Sequence, residues 1–182
     1  MPEDLRRELD SFGRGPSILQ AALRRFPKKM WCYQPSADHW SIHDTVIHLA
    51  DSEVSSYVQC RQCIANPEST ELKFDGPRWA RSLHYFEQSA LGAIQVIFQL
   101  RKSTHSLLSS IPDHLWDNTV LDEALGSITL KRWLTVQERH IPGHIDQMRE
   151  NYNAWVATHP FRRSARTQRN APRQWPKPNT TR

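Results

Sequence analysis

Two histidines four residues apart, His140 and His144, stand in the run Glu138-Arg139-His140-Ile141-Pro142-Gly143-His144. On an α-helix, positions i and i+4 share one face, with Cβ atoms about 5–6 Å apart. Two imidazoles so placed can reach one metal ion, the spacing used by many His-x-x-x-His zinc sites. Glu138 precedes His140 by two residues, so the run is not the His-Glu-x-x-His motif of zinc proteases. Two ligands do not complete a site. A third histidine, His48, stands far upstream in Trp40-Ser41-Ile42-His43-Asp44-Thr45-Val46-Ile47-His48-Leu49-Ala50-Asp51-Ser52-Glu53.

The elements that carry these residues read as helices. Residues 3–27 have an apolar stripe of Leu19, Leu23 and Phe26, and the Gly13, Gly15 and Pro16 interruption predicts a main helix starting near Pro16. A second helix is expected over about 41–65, with Ser41 as N-cap and Asp44 at its third position. Its apolar side holds Val46, Ala50, Val54, Tyr57 and Ile64; His48 points nearly opposite, toward water or a cleft made by another element. The three- and four-residue steps of Trp79, Leu83, Phe86, Ala90, Ile97 and Leu108 predict one long helix over 77–111. Residues 112–128 form a connection, and a last helix runs from about 129 to 158. There His140 and His144 flank the stripe of Leu134, Ile141, Ile145 and Met148. Pro142 removes one helical hydrogen bond and predicts a kink. Four amphipathic helices without a strand signal imply an all-α, up-and-down four-helix bundle with one long connection. The domain spans 1–160, and residues 161–182 form a basic Pro/Arg tail expected to be disordered.

Composition narrows the function classes. The 182 residues suit one domain with a sizeable core. Residues 162–182 hold seven basic side chains and no acid, while the rest holds 17 basic and 19 acidic residues. The high pI belongs to the tail, so nucleic acid is expected to bind at most weakly and through it. No stretch approaches the roughly 18–20 apolar residues of a membrane span. Three cysteines, Cys32, Cys60 and Cys63, give no disulfide framework, and the polar start Met1-Pro2-Glu3-Asp4 lacks signal-peptide character, so a reducing cytoplasm is expected. Cys60 and Cys63 have redox spacing but lie inside a predicted helix, away from the N-terminus that would stabilise a thiolate. His43, in a first helical turn, is expected to be exposed. Glu53 faces the apolar side and is expected to pair with an arginine such as Arg61 or Arg139. Asp51, on the His48 side, is the candidate to orient a ligand or accept a proton.

The blocks Gly15-Pro16-Ser17-Ile18-Leu19, Trp40-Ser41-Ile42 with His48-Leu49-Ala50-Asp51, Asp75 to Trp79, Leu100-Arg101, Gly126 to Leu130, and His140-Ile141-Pro142-Gly143-His144-Ile145-Asp146-Gln147 resemble those of the DinB/YfiT-like superfamily of metal-binding four-helix bundles. The resemblance covers about residues 10–155. It implies that His48, His140 and His144 bind a divalent metal, zinc or nickel foremost, with iron or manganese as alternatives. It also implies a small-molecule substrate, with chemistry of the thiol S-transferase or hydrolase type and a low-molecular-weight thiol as possible cosubstrate. The alternative is a non-catalytic metal-binding stress or interaction protein. Bundles of this family often pair as homodimers, and seven tryptophans are compatible with an exposed aromatic patch. Three imidazoles leave coordination positions open, the pattern of catalytic zinc. Ordinary imidazoles protonate near pH 6.5, so metal affinity is expected to fall below about pH 6.

Overall fold

A computed structural model describes residues 1–67, 74–122 and 126–159. Four long helices, α1 (Glu3–Leu23), α2 (Ile42–Ala65), α4 (Ala90–Leu108) and α5 (Leu130–Thr158), form the bundle; a short α3 (Gly76–Ser82) lies between α2 and α4. α1 packs mainly against α4 and α5, and α2 against the same pair. The chain therefore crosses the bundle between α1 and α2, and again between α4 and α5.

Helix starts follow local chemistry. Ser41 and Asp44 form a reciprocal capping box on α2, satisfying two otherwise orphan N–H groups. Thr129 caps α5 through the Arg132 N–H, and Ser89 caps α4 through the Gly92 N–H.

Three segments depart from the expected pattern. α1 runs unbroken from Glu3, with Pro16 buried inside it. Gly13 is not a break: a Cβ there would meet the His105 ring at 2.6 Å, so glycine admits α4 at that contact. The long helix over 77–111 is divided into α3, a 3-10 turn at Tyr85–Glu87, and α4. His84 adopts a left-handed conformation (φ 49°) at the division, and Leu83 and Phe86 point outward, so the stripe read across them is not one face. The connection after α4 holds a 3-10 turn at Asp113–Asp117 and an antiparallel hairpin, β1 (Thr119–Asp122) with β2 (Gly126–Thr129), pairing Thr119 with Thr129. Four-residue strands carry too few alternations to register as a period. α5 continues through Pro142 without interruption.

The core divides along the helices. One cluster gathers Leu19, Phe26, Met30, Ile42, Val46, Ile97, Ile141, Ile145, Met148 and Trp155. The other gathers Leu5, Leu9, Phe12, Cys60, Leu108, Trp116, Trp133 and Leu134. Glu53 on α2 and Arg101 on α4 occupy the level between them, joined by two bonds of 2.8 and 2.6 Å. Arg101 also donates to the Phe12 and Gln137 carbonyls, so one side chain touches all four long helices. Neither Arg61 nor Arg139 partners Glu53; Arg61 lies over the Tyr57 ring and bonds Ser103.

Trp31, Trp116, Trp133 and Trp155 are buried and Trp40 and Trp79 half-buried, so tryptophans form no exposed patch among the described residues. The most exposed large apolar side chains there are Phe86 and Leu91. No helix among the described residues is long and apolar enough to cross a membrane. The tail from residue 160 lies outside the described residues.

Candidate metal centre

α2 and α5 bring His48, His140 and His144 together, with prospective ligand atoms no more than 4.8 Å apart. Ring centroids are separated by 5.6 Å for His48 and His140, 4.8 Å for His48 and His144, and 4.7 Å for His140 and His144.

The placement of His48 decides between water and a cleft in favour of the cleft. It projects away from the bundle stripe, as its helical angle requires, yet it is only 7% exposed. Segments outside the bundle cover it. The Trp40 ring approaches to 4.5 Å, and Phe74 stacks on the far side at 5.5 Å. Gly76 closes the third side: a Cβ there would sit 2.9 Å from His48 Cε1 and 3.0 Å from Nδ1. The residue after Asp75 thus has to be glycine for the α3 N-terminus to lie against the imidazole. Asp75 caps that helix through the Arg78 N–H.

On α5, the two Nε2 atoms of His140 and His144 face each other at 3.1 Å. His144 Nδ1–H donates to the Gln147 side-chain oxygen at 2.8 Å, which leaves Nε2 with its lone pair. Ser52 Oγ lies 3.5 Å from His140 Nδ1, at the limit of hydrogen-bond range. Burial is the main force on all three imidazoles. It lowers His48 and His140 to about 3, with the His144 charge adding to the effect, and holds His144 below the ordinary histidine range. All three are therefore neutral near pH 7, as ligation requires.

The donor set fits a divalent cation. Two lone pairs aimed at each other across 3.1 Å repel unless a proton or cation lies between them. Two nitrogens on a tetrahedral zinc, each at about 2.0–2.1 Å, are about 3.3 Å apart. His48 Nδ1 is buried without a hydrogen-bond partner among the described residues.

Asp51 stands outside this trio. Its carboxylate accepts a 2.7 Å bond from Tyr85 Oη, and burial pushes it above the usual carboxylate range against that bond's pull. His43 is half-buried rather than exposed, donating Nε2–H to the Tyr85 carbonyl at 3.2 Å. Cys60 and Cys63 are buried, with thiols pushed up to about 12 and about 11, so neither supplies a thiolate near neutrality. A cavity of about 580 Å³ shares the Trp40 wall with the trio and is lined further by His43, Arg81, Tyr85 and Phe86, but by none of the three histidines.

The histidines were visible in the sequence; their supports were largely not. Gln147 is the exception, since it follows His144 by three on one helix face. Phe74 and Gly76 belong to a connection, where no periodicity reports what a side chain covers.

The profile described as the DinB superfamily matches residues 11–148. No curated protein matches the chain. Among solved structures, the fold superposes with a TM-score of 0.77 on YfiT from Bacillus subtilis, described as "a probable metal-dependent hydrolase with an unusual four-helix bundle topology"; the two are 17% identical over 85% of this chain and 90% of that one. A mycothiol-dependent maleylpyruvate isomerase superposes with a TM-score of 0.65 at 12% identity, over 81% of this chain and 61% of the isomerase. This chain thus spans about 61% of the isomerase's length. At such identities the likeness is one of fold.

Proposed function

Since this chain belongs to the DinB superfamily, we propose that His48, His140 and His144 hold one divalent metal ion, zinc or nickel foremost, in a metal-dependent enzyme of thiol-transfer or hydrolytic type. The observation that carries this reading is the convergence of three neutral imidazoles from two helices, with two Nε2 atoms 3.1 Å apart. Three protein ligands leave room for an exogenous one, which favours catalysis over a closed structural site. The metal-dependent description of YfiT and the thiol dependence of the isomerase point the same way.

Such an ion, when bound, supplies Lewis acidity that deprotonates a thiol or water near neutral pH. The chain's own groups divide the remaining work. Gln147 holds the His144 tautomer that presents Nε2. Trp40, Phe74 and Gly76 fix the His48 ring and exclude water from it. Asp51, three residues beyond His48 on α2 and steadied by Tyr85 Oη, holds or releases a proton at its carboxylate.

The test supplies zinc- or nickel-loaded protein with a small thiol and an activated electrophile, or with an activated ester alone. The reading predicts turnover abolished by His144→Ala. Asp51→Asn would lower turnover by roughly 10²–10⁴-fold at unchanged metal content. Fully loaded protein inert in every pairing would leave the non-catalytic alternative.

A further inference from the structure

The two helices that carry the three histidines meet along a seam of polar pairs. Asn151 donates to the Trp40 carbonyl at 2.7 Å, just ahead of α2. His48 then faces His144, Ser52 faces His140, and Trp133 donates to the Gln59 side chain at 2.7 Å. Residue numbers rise along α2 as they fall along α5, so the two helices run antiparallel with the trio inside the seam. α2 packs more closely on α4 than on α5, which leaves the α2–α5 spacing to be fixed at points. One such point is supplied by α4. Arg101 is 1% exposed, and its Nε and Nη2 grip the two Glu53 oxygens at 2.8 and 2.6 Å. Glu53 stands five residues beyond His48 on α2, about 7.5 Å of helix rise. Nη1 of the same guanidinium donates to the Gln137 carbonyl at 3.3 Å, three residues before His140 on α5.

We infer that Arg101 is a positioning residue for the metal centre: held by Glu53, it fixes the α5 turn ahead of His140 against α2 and so sets the spacing of His48 from His140 and His144. This rests on the reading of the three histidines as metal ligands, and it assigns the support to a helix that carries none of them. The chain is shaped to seat the guanidinium there. Nη1 also donates at 3.4 Å to the Phe12 carbonyl, to which Pro16, four residues on, has no N–H to return. Gly15 lets α5 and the guanidinium come close: a Cβ there would stand 3.1 Å from Ile141 Cδ1 and 3.6 Å from Nη1. Ile141 adjoins His140. The guanidinium is near enough to His140 that its charge adds to burial and to the other two imidazoles in keeping that ring neutral. Only arginine can do this work. Its planar fork takes both carboxylate oxygens and still presents a third N–H, whereas a lysine ammonium is a single point that cannot span Glu53 and the α5 carbonyl.

The experiment titrates the chelator-treated full chain with cobalt(II), a stand-in for zinc whose visible absorption reports coordination geometry, and then displaces it with zinc. Three variants accompany the unmodified chain. Arg101→Lys keeps the cation but lacks the fork. E53Q/R101M removes the pair without burying a lone charge. Leu9→Ala thins the other core cluster and controls for lost stability alone. Far-UV dichroism restricts the comparison to folded protein. Arg101→Lys and E53Q/R101M should bind both ions roughly 10–100-fold more weakly, with an altered cobalt spectrum in each, while Leu9→Ala should match the unmodified chain. Affinity and spectrum unchanged in both Arg101 variants would overturn the inference and leave the metal reading intact. Equal losses in Leu9→Ala would also overturn it, since stability alone would then account for the effect. An unmodified chain that binds neither ion would overturn the metal reading itself, and this inference with it.

Discussion

His140 Nε2 and His144 Nε2 lie 3.1 Å apart on successive turns of α5, and both rings are kept neutral mainly by burial. The sign of the pH dependence follows. His48 and His140 titrate at about 3 when folded, against about 6.5 when unfolded. Between those limits the unfolded chain binds more protons, so the metal-free protein loses stability as pH falls from about 6.5 toward 3 and changes little above about 7. Thermal denaturation of chelator-treated protein between pH 4 and 8 checks this, and His140→Leu should flatten the fall. Burial also moves the metal's own pH limit. The folded protein should keep its ion at about pH 5.5, below the threshold expected of ordinary imidazoles, because protons compete only nearer the lowered values.

Gly76 tests whether the cover over His48 positions the ligand. In Gly76→Ala the new methyl would stand 2.9 Å from His48 Cε1, with Trp40 3.3 Å away on another side, so the ring has to turn. Metal affinity should fall by roughly 10–100-fold, the usual consequence of disturbing a ligand's support. A competition titration against a chelator measures it. Unchanged affinity would mean that α3 yields instead of the imidazole.

Glu53 and Arg101 test the level between the two core clusters. Burial pushes the Glu53 carboxyl up, while the guanidinium beside it pulls the other way. Arg101→Met leaves that carboxylate without its partner and removes the side-chain donor to the Phe12 and Gln137 carbonyls. The variant should lose about 3–5 kcal/mol in urea denaturation. A Glu53→Gln/Arg101→Met double variant should lose less than the two single losses combined, since it buries no lone charge.

The sequence carried the bundle and the trio unequally. Ser41 with Asp44, and the stripe around Ile141, Ile145 and Met148, are local signals, and α2 and α5 fall within a residue or so of their expected bounds. The convergence of His48 with His140 and His144 was implied by family resemblance, because spacing on one helix says nothing about which helix it faces. Gly13 and Pro16 read as a break, yet α1 is continuous: Gly13 admits the His105 ring of α4, and Pro16 is buried within the helix. Leu83 and Phe86 had the right period but the wrong surroundings, since the left-handed His84 turns the chain between them. Arg101 went unnoticed as the partner of Glu53: an arginine amid apolar residues on α4 gives no sign that a carboxylate waits on α2.

The most direct measurement is elemental analysis of protein purified without a polyhistidine tag, alongside His48→Ala and His144→Ala. The account predicts close to one divalent ion per chain, lost or strongly reduced in both variants while far-UV dichroism stays helical. Full metal in His48→Ala would contradict the cross-helix site. Absence of metal in the unmodified protein, even after reloading with zinc or nickel, would contradict the metal centre itself.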